Sequence, residues 1–241
     1  MELPQGALPR YERDVASVAW VVSRRGAVPD QIQEGEEVIV PTFEIAANPT
    51  VRLSEIKARR YYIVDRAQIK AKEAIQKEED TNIFNALLSA AENADGGEGQ
   101  EVFDEGGNVT PADLNEAFRL VERHDLVVAK IVCHANQYAN IRMFGNDLFD
   151  EATQRQVITT GLFGHLFTAD IHVSSRMPED YVVVVASPET VGAFPIRQDI
   201  TVMPADDPKK LRLGWVIYEE VGIVVMNDYA VAKINLSGET S

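Results

Sequence analysis

From residue 66 to residue 93 apolar positions are sparse and helically spaced, whereas from residue 126 onward they crowd into short strand-like runs. The helical stretch, "RAQIKAKEAIQKEEDTNIFNALLSAAEN", has no Gly or Pro and predicts a helix roughly 42 Å long at ~1.5 Å per residue. Asp65 is placed to cap it. In its first half Ile69 and Ile75 are the only large apolar residues; Ile83, Phe84, Leu87, Leu88 and Ala91 in the second half share one face. So thin a stripe predicts a helix lying on a surface. Upstream, "EEVIVPTFEIAANPTVRLSEIKARRYYIVD" holds strand-formers Val38, Ile39, Val40, Thr42 and Ile45, and "AANPT" reads as a turn. A return through Val51, Leu53, Ile56, Tyr61, Tyr62, Ile63 and Val64 completes a predicted hairpin over 36–64. Its tip is too poor in apolar residues to be buried, so it should project. Residues 1–35 read as an arm, with a short helix around Glu12–Ser23.

Beyond the helix, "ADGGEGQEVFDEGGN" reads as an acidic glycine-rich loop. Thr110 as N-cap and Pro111 at the first helical position open a second helix, with Leu114, Ala117, Phe118 and Val121 facing inward. "LVVAKIVC" reads as a buried strand, "HANQYANIRMFG" as a short helix, and "DEATQRQVI" as a helix or turn. The remainder turns to strands: "HLFTADIHVSS", "YVVVVAS", "VGAFPIRQDITVMPA" and the closing "LGWVIYEEVGIVVMNDYAVAKI". The class is α+β. In the closing run, alternation puts Trp215, Ile217, Val221, Ile223 and Val225 on one face, where Glu219 interrupts them. Val216, Tyr218 and Glu220 take the wetter face, making Glu220 a solvated residue. Glu219 requires either a bulge that turns it outward or a basic partner.

The composition, 45% hydrophobic and 25% charged, is that of an ordinary globular chain large enough for a sizeable core. No apolar run reaches the roughly 18 residues of a membrane helix, and the N-terminus lacks a secretory pattern. One cysteine, Cys133, precludes an intrachain disulfide framework and fits a reducing compartment and a core position. The net charge of −15 is uneven. Residues 1–77 carry 12 Lys+Arg against 11 Asp+Glu, and residues 78–241 carry 11 against 27. Residues 52–77 alone hold 8 against 3. This asymmetry fits either an interaction surface or a solvated helix face, while the acidic bulk argues against a dedicated duplex-DNA binder.

Chemistry is thin. His124, His134, His165 and His172 have no metal-binding spacing, and the seven-position separation of His165 and His172 puts them on opposite faces of a continuous strand. There is no nucleophile elbow and no phosphate loop. Asp206 and Asp207, bracketed by Pro204 and Pro208, read as a turn. No catalytic, metal or cofactor-binding residue is assigned, and no cofactor is expected.

These parts, in this order, resemble the major capsid proteins of tailed bacteriophages, which have the Hong Kong 97-like fold. The residues that carry the resemblance are "TGLFGHLFTADIHVSSRMPEDYVVVVASPETVGAF" and "ITVMPADDPKKLRLGWVIYEEVGIVVMNDYAVAKINL", including Gly214-Trp215, Glu219-Glu220, Gly222, Asn227 and the final "AVAKI". The resemblance implies an N-terminal arm at 1–35 and an extended hairpin (the E-loop) at 36–64. It implies a peripheral domain with a spine helix at 65–108 and about 200–228, and an axial domain at 109–199 and about 229–241. It further implies self-assembly into pentamers and hexamers of an icosahedral shell enclosing double-stranded DNA without sequence-specific binding. Scaffold, portal and decoration proteins would be further partners, with assembly in the host cytoplasm and no membrane. A basic hairpin and helix start would meet the acidic remainder of an adjacent copy, with Arg52, Lys57, Arg59, Arg60, Arg66 and Lys70 as contact candidates. Some members weld subunits by Lys–Asn isopeptide bonds, and Lys57 and Asn227 supply those residue types. The short stretch before the hairpin implies either a separate scaffold or a processed product. Two other readings stay open: an encapsulin-like nanocompartment shell of the same fold, and a soluble α+β hydrolase using His172 and a serine such as Ser174 or Ser175.

Overall fold

The computed structural model describes residues 8–13, 36–58, 63–94, 99–104, 106–144, 165–166 and 168–237. In chain order the strands are β1 (Arg10–Arg13), β2 (Glu36–Ile39), β3 (Thr42–Ala47), β4 (Thr50–Arg52), β5 (Glu101–Phe103), β6 (Val128–Cys133) and β7 (His165–Leu166). They continue as β8 (Ala169–Val173), β9 (Tyr181–Ala186), β10 (Gly192–Ala193), β11 (Ile196–Pro204), β12 (Arg212–Gly222), β13 (Val224–Val225) and β14 (Val231–Asn235). The α-helices are α1 (Leu53–Ala58), α2 (Ile63–Asn93), α3 (Pro111–Glu122), α4 (Ala135–Ile141) and α5 (Pro188–Val191).

Two hydrophobic clusters organise these elements. The larger gathers the six-stranded mixed sheet β5-β14-β9-β6-β8-β7 against α3 and the C-terminal half of α2. Strand β9 sits at its centre, paired on both sides, which is why Val182–Val185 are apolar without alternation. Thr110 and Asp113 form the reciprocal capping box that starts α3 beside Pro111, and Leu114, Ala117, Phe118 and Val121 are all buried as the spacing requires. The smaller cluster consists of Ile45, Ala71, Ile75, Ile217 and Val221, where the N-terminal half of α2 crosses β3 and β12. Helix α2 therefore belongs to both cores, touching one with Ala71 and Ile75 and the other with Phe84, Leu88 and Ala91.

Several expectations are corrected. The runs over 36–64 do not pair with each other as a hairpin. Strands β3 and β4 both pair antiparallel with β12 in one unbroken register, from Gly222↔Thr42 to Arg212↔Arg52. "AANPT" is thus not a turn but the middle of an extended edge. Pro49 is tolerated there because it needs only its carbonyl, which accepts from Trp215 N at 3.1 Å. Past Arg52 the chain turns helical, and α2 already begins at Ile63, placing Asp65 in its first turn and not at its cap. The two-stranded element near the N-terminus is instead β1 with β2, Arg10↔Ile39 to Arg13↔Glu36. Glu12 and Arg13 are strand, not helix, while the rest of the helix expected to Ser23 and the element expected at "DEATQRQVI" lie outside the described residues. The acidic loop hides a strand, β5, parallel to β14. His165 and His172 are not on one continuous strand, since β7 and β8 pair antiparallel.

Candidate functional site

Charged side chains collect along the β11–β12–β3/β4 sheet. At one end Arg52 of β4 and Arg212 of β12 stand directly opposite each other. Opposed residues of an antiparallel pair share a face, with Cβ atoms about 4.5–5.5 Å apart. The adjoining turn is held by its acids: Asp207 accepts from Lys210 N at 3.3 Å and its carboxylate lies 3.4 Å from Lys210 Nζ, while Asp206 accepts from Gly214 N at 3.2 Å. This agrees with the turn reading of "PADDPKK". Leu211 closes the turn at φ 52°, a left-handed conformation uncommon for a branched side chain, and is 65% exposed. Arg52, Ser54, Lys210, Leu211 and Arg212 line a hollow of about 240 Å³.

Farther along β12, the adjacent glutamates have opposite fates. Glu220 is not simply solvated. It accepts from the Thr42 hydroxyl at 2.5 Å and pairs with Arg197 at 2.6 Å, and together these hold its carboxyl below the ordinary range. Glu219 faces the small core at 3% exposure, with Oε1 lacking a hydrogen-bond partner. Among the described residues it finds neither the outward bulge nor the basic partner that its position demanded. It meets Glu79 instead, which follows Ala71 and Ile75 at i+4 spacing on the buried stripe of α2. Burial, then the Glu79 charge and hydrogen bond, then Asp199, push Glu219 up to about 7.

Elsewhere, Lys233 of β14 is fully buried and pairs with Glu92 at 2.6 Å and with Glu101, tying α2 and the edge strand β5 to β14. Cys133 lies in the same core, where burial pushes its thiol up to about 12. An apolar groove of about 350 Å³ runs between α2 and the β10–β13 pair, lined by Ile83, Leu87, Phe194, Ile223 and Val224 with His172 at its edge. His172 is exposed and hydrogen-bonds neither Ser174 nor Ser175; the Ser174 hydroxyl accepts from Arg176 N. Among the described residues no group of three or more His, Cys, Asp or Glu could hold a metal. No helix among them is long and apolar enough to cross a membrane.

Of the basic residues singled out in the sequence, Arg52 and Lys57 fall at the sheet end and on α1, both exposed. Arg66 and Lys70 are exposed one turn apart on α2. Arg59 and Arg60 lie outside the described residues. Asn227 caps a short 3-10 turn, its side-chain oxygen accepting from Tyr229 N at 3.1 Å, and no hydrogen bond joins it to Lys57. Sequence reasoning missed Arg212, Glu79 and Lys233. The 71/75/79 stripe was the readable signal for Glu79, and the outlying Lys within the apolar "AVAKIN" was the signal for Lys233.

A family model described as phage capsid protein matches residues 50–234. The chain belongs to the phage capsid protein family. As a phage capsid protein it carries the mixed helix-and-sheet fold of solved capsids. It resembles the capsid of Cyanophage P-SCSP1u with a TM-score of 0.74 at 11% identity, covering 97% of this chain and 84% of that one. It resembles a structure of Microbacterium phage Oxtober96 at 0.72 and 16% identity, covering 98% and 88%. The SrpI encapsulin complex of Synechococcus elongatus PCC 7942 is also similar, at 0.60 and 16% identity, covering 98% and 84%. No curated protein matches the sequence. The family match favours the major capsid protein over the encapsulin reading, which rests on fold likeness alone.

Proposed function

We propose that this capsid protein assembles with copies of itself into the pentamers and hexamers of an icosahedral shell that encloses double-stranded DNA. The observation that carries the reading is the family match over residues 50–234, which takes in most residues of both hydrophobic cores. The small core under β3 and β12, with the first half of α2 as spine, corresponds to a peripheral domain. The six-stranded sheet with α3 corresponds to an axial domain. On this assignment β5 joins the axial unit, because it pairs with β14. Arg52, Lys57, Arg59, Arg60, Arg66 and Lys70 remain the basic contact set toward acidic neighbours. The shell is not proposed to catalyse a reaction, and scaffold, portal and decoration proteins are its expected partners in the host cytoplasm.

The test is to express the chain alone and image it by negative-stain electron microscopy beside size-exclusion chromatography. Closed shells, tubes or rings of five or six support the proposal. Nuclease-protected duplex DNA in particles from phage-infected cells separates a phage head from an encapsulin. A 26.7 kDa monomer at high concentration, with or without a co-expressed scaffold, counts against it.

A further inference from the structure

We infer that the Arg52–Arg212 pair at the end of the β11–β12–β3/β4 sheet is a socket for a carboxylate supplied by a second copy of the chain. This rests on the shell-forming reading above. Two like charges directly opposed across an antiparallel pair destabilise it, so the folding of one chain does not account for them. Neither guanidinium has an acidic partner among the described residues. Asp207 and Asp206, in the adjoining turn, are committed to Lys210 and to the Gly214 amide.

The hollow is built, not incidental. Leu211 N donates to Pro208 O at 3.3 Å, and Leu53 N donates to Leu211 O at 3.0 Å, fixing the rim to the β4–α1 junction. Leu211 has a left-handed backbone, and Lys210 and Arg212 on either side of it in sequence both line the hollow. At about 240 Å³ it has room for the end of an acidic side chain, given roughly 30 Å³ per water displaced. Two guanidinium forks on one face match the planar, bidentate geometry of a carboxylate, which a lysine pair would not.

The occupant follows from the charge. Residues 78–241 hold 11 basic against 27 acidic residues, so another copy carries an excess of carboxylates to offer. Glu73, Glu78 and Asp80, exposed on α2, are of the right kind. The same acidity repels a nucleic-acid backbone, which argues for a protein carboxylate over a phosphate. A basic end meeting an acidic flank is a heterologous contact, and repetition of such a contact closes rings.

The experiment compares the full-length wild type with R212Q and the double variant R52Q/R212Q. Assembly is followed by sedimentation velocity and electron microscopy over a concentration series, and unfolding by circular dichroism. The concentration needed for assembly is expected to rise at least about tenfold in the double variant. Its unfolding midpoint should stay equal or rise, because relief of like-charge repulsion favours the single chain. Assembly at the wild-type concentration overturns the socket. So does loss of assembly with a lowered midpoint, which would make the pair structural. Normal assembly with weakened retention of a labelled duplex overturns it in favour of a phosphate site. A wild type that never assembles overturns the shell reading itself, an outcome distinct from all of these.

Discussion

Replacing Glu219 with Gln tests the reading of the buried carboxyl pair. Glu219 is 3% exposed, and its pKa stands at about 7 against an ordinary 4.5, chiefly through burial and secondarily through Glu79. Because the folded-state pKa is raised, the folded chain keeps a proton that the unfolded chain releases. The contribution to stability is full below pH 4.5 and is lost as pH rises through about 7. At 1.36 kcal/mol per pH unit, the difference amounts to about 3 kcal/mol by pH 8. Gln keeps the shape, carries no charge and can donate to Glu79. E219Q is therefore expected to be more stable than wild type at pH 8 by up to about 3 kcal/mol, or about 6–12 °C in Tm for a chain of this size. At pH 4.5 the two should coincide. Urea unfolding of the unassembled chain by circular dichroism, at several pH values from 4.5 to 8.5, measures this. Comparing the two proteins at each pH removes the contribution of groups remote from Glu219. Parallel stability–pH curves for wild type and E219Q would refute the argument, since Glu219 would then titrate no differently on folding.

Three further outcomes are expected. Lys233→Ala leaves Glu101 and Glu92 without their buried cation and should cost about 3–5 kcal/mol in urea unfolding; a loss under 1 kcal/mol would mean that water reaches the triad. At Gly214 an added Cβ would stand 2.6 Å from the Ala205 carbonyl oxygen, so Gly214→Ala should lower Tm measurably in a thermal scan, and an unchanged Tm would show that the turn yields freely. Assembled particles boiled in detergent should run as a 26.7 kDa band, since the Asn227 side chain is engaged as a cap; a ladder of multiples that Asn227→Ala abolishes would show Asn227 to be a crosslinking residue.

Features governed by neighbours within a few residues were readable from the chain alone. Thr110, Pro111 and Asp113 specify their own helix start because the capping box closes within one turn. The Gly- and Pro-free run through Asn93 is a helix because nothing in it interrupts backbone hydrogen bonding. The face that Ile217, Glu219 and Val221 share follows from period-two geometry and is the buried one. The closing strands also carried the family likeness. Tertiary structure alone decided what these faces meet. "AANPT" has the local chemistry of a turn, yet the ladder to β12 holds it extended, because a continuous set of hydrogen bonds outweighs one Asn-Pro preference. Strand β5 exists because β14 offers it an edge. Glu219 finds a carboxylate 140 positions earlier, and Arg52 finds Arg212 160 positions later. Local propensity carries no information over such separations. Only the closure of long loops onto two shared cores brings these charges together, and the pairs on which this capsid protein's charge chemistry turns were set at that stage.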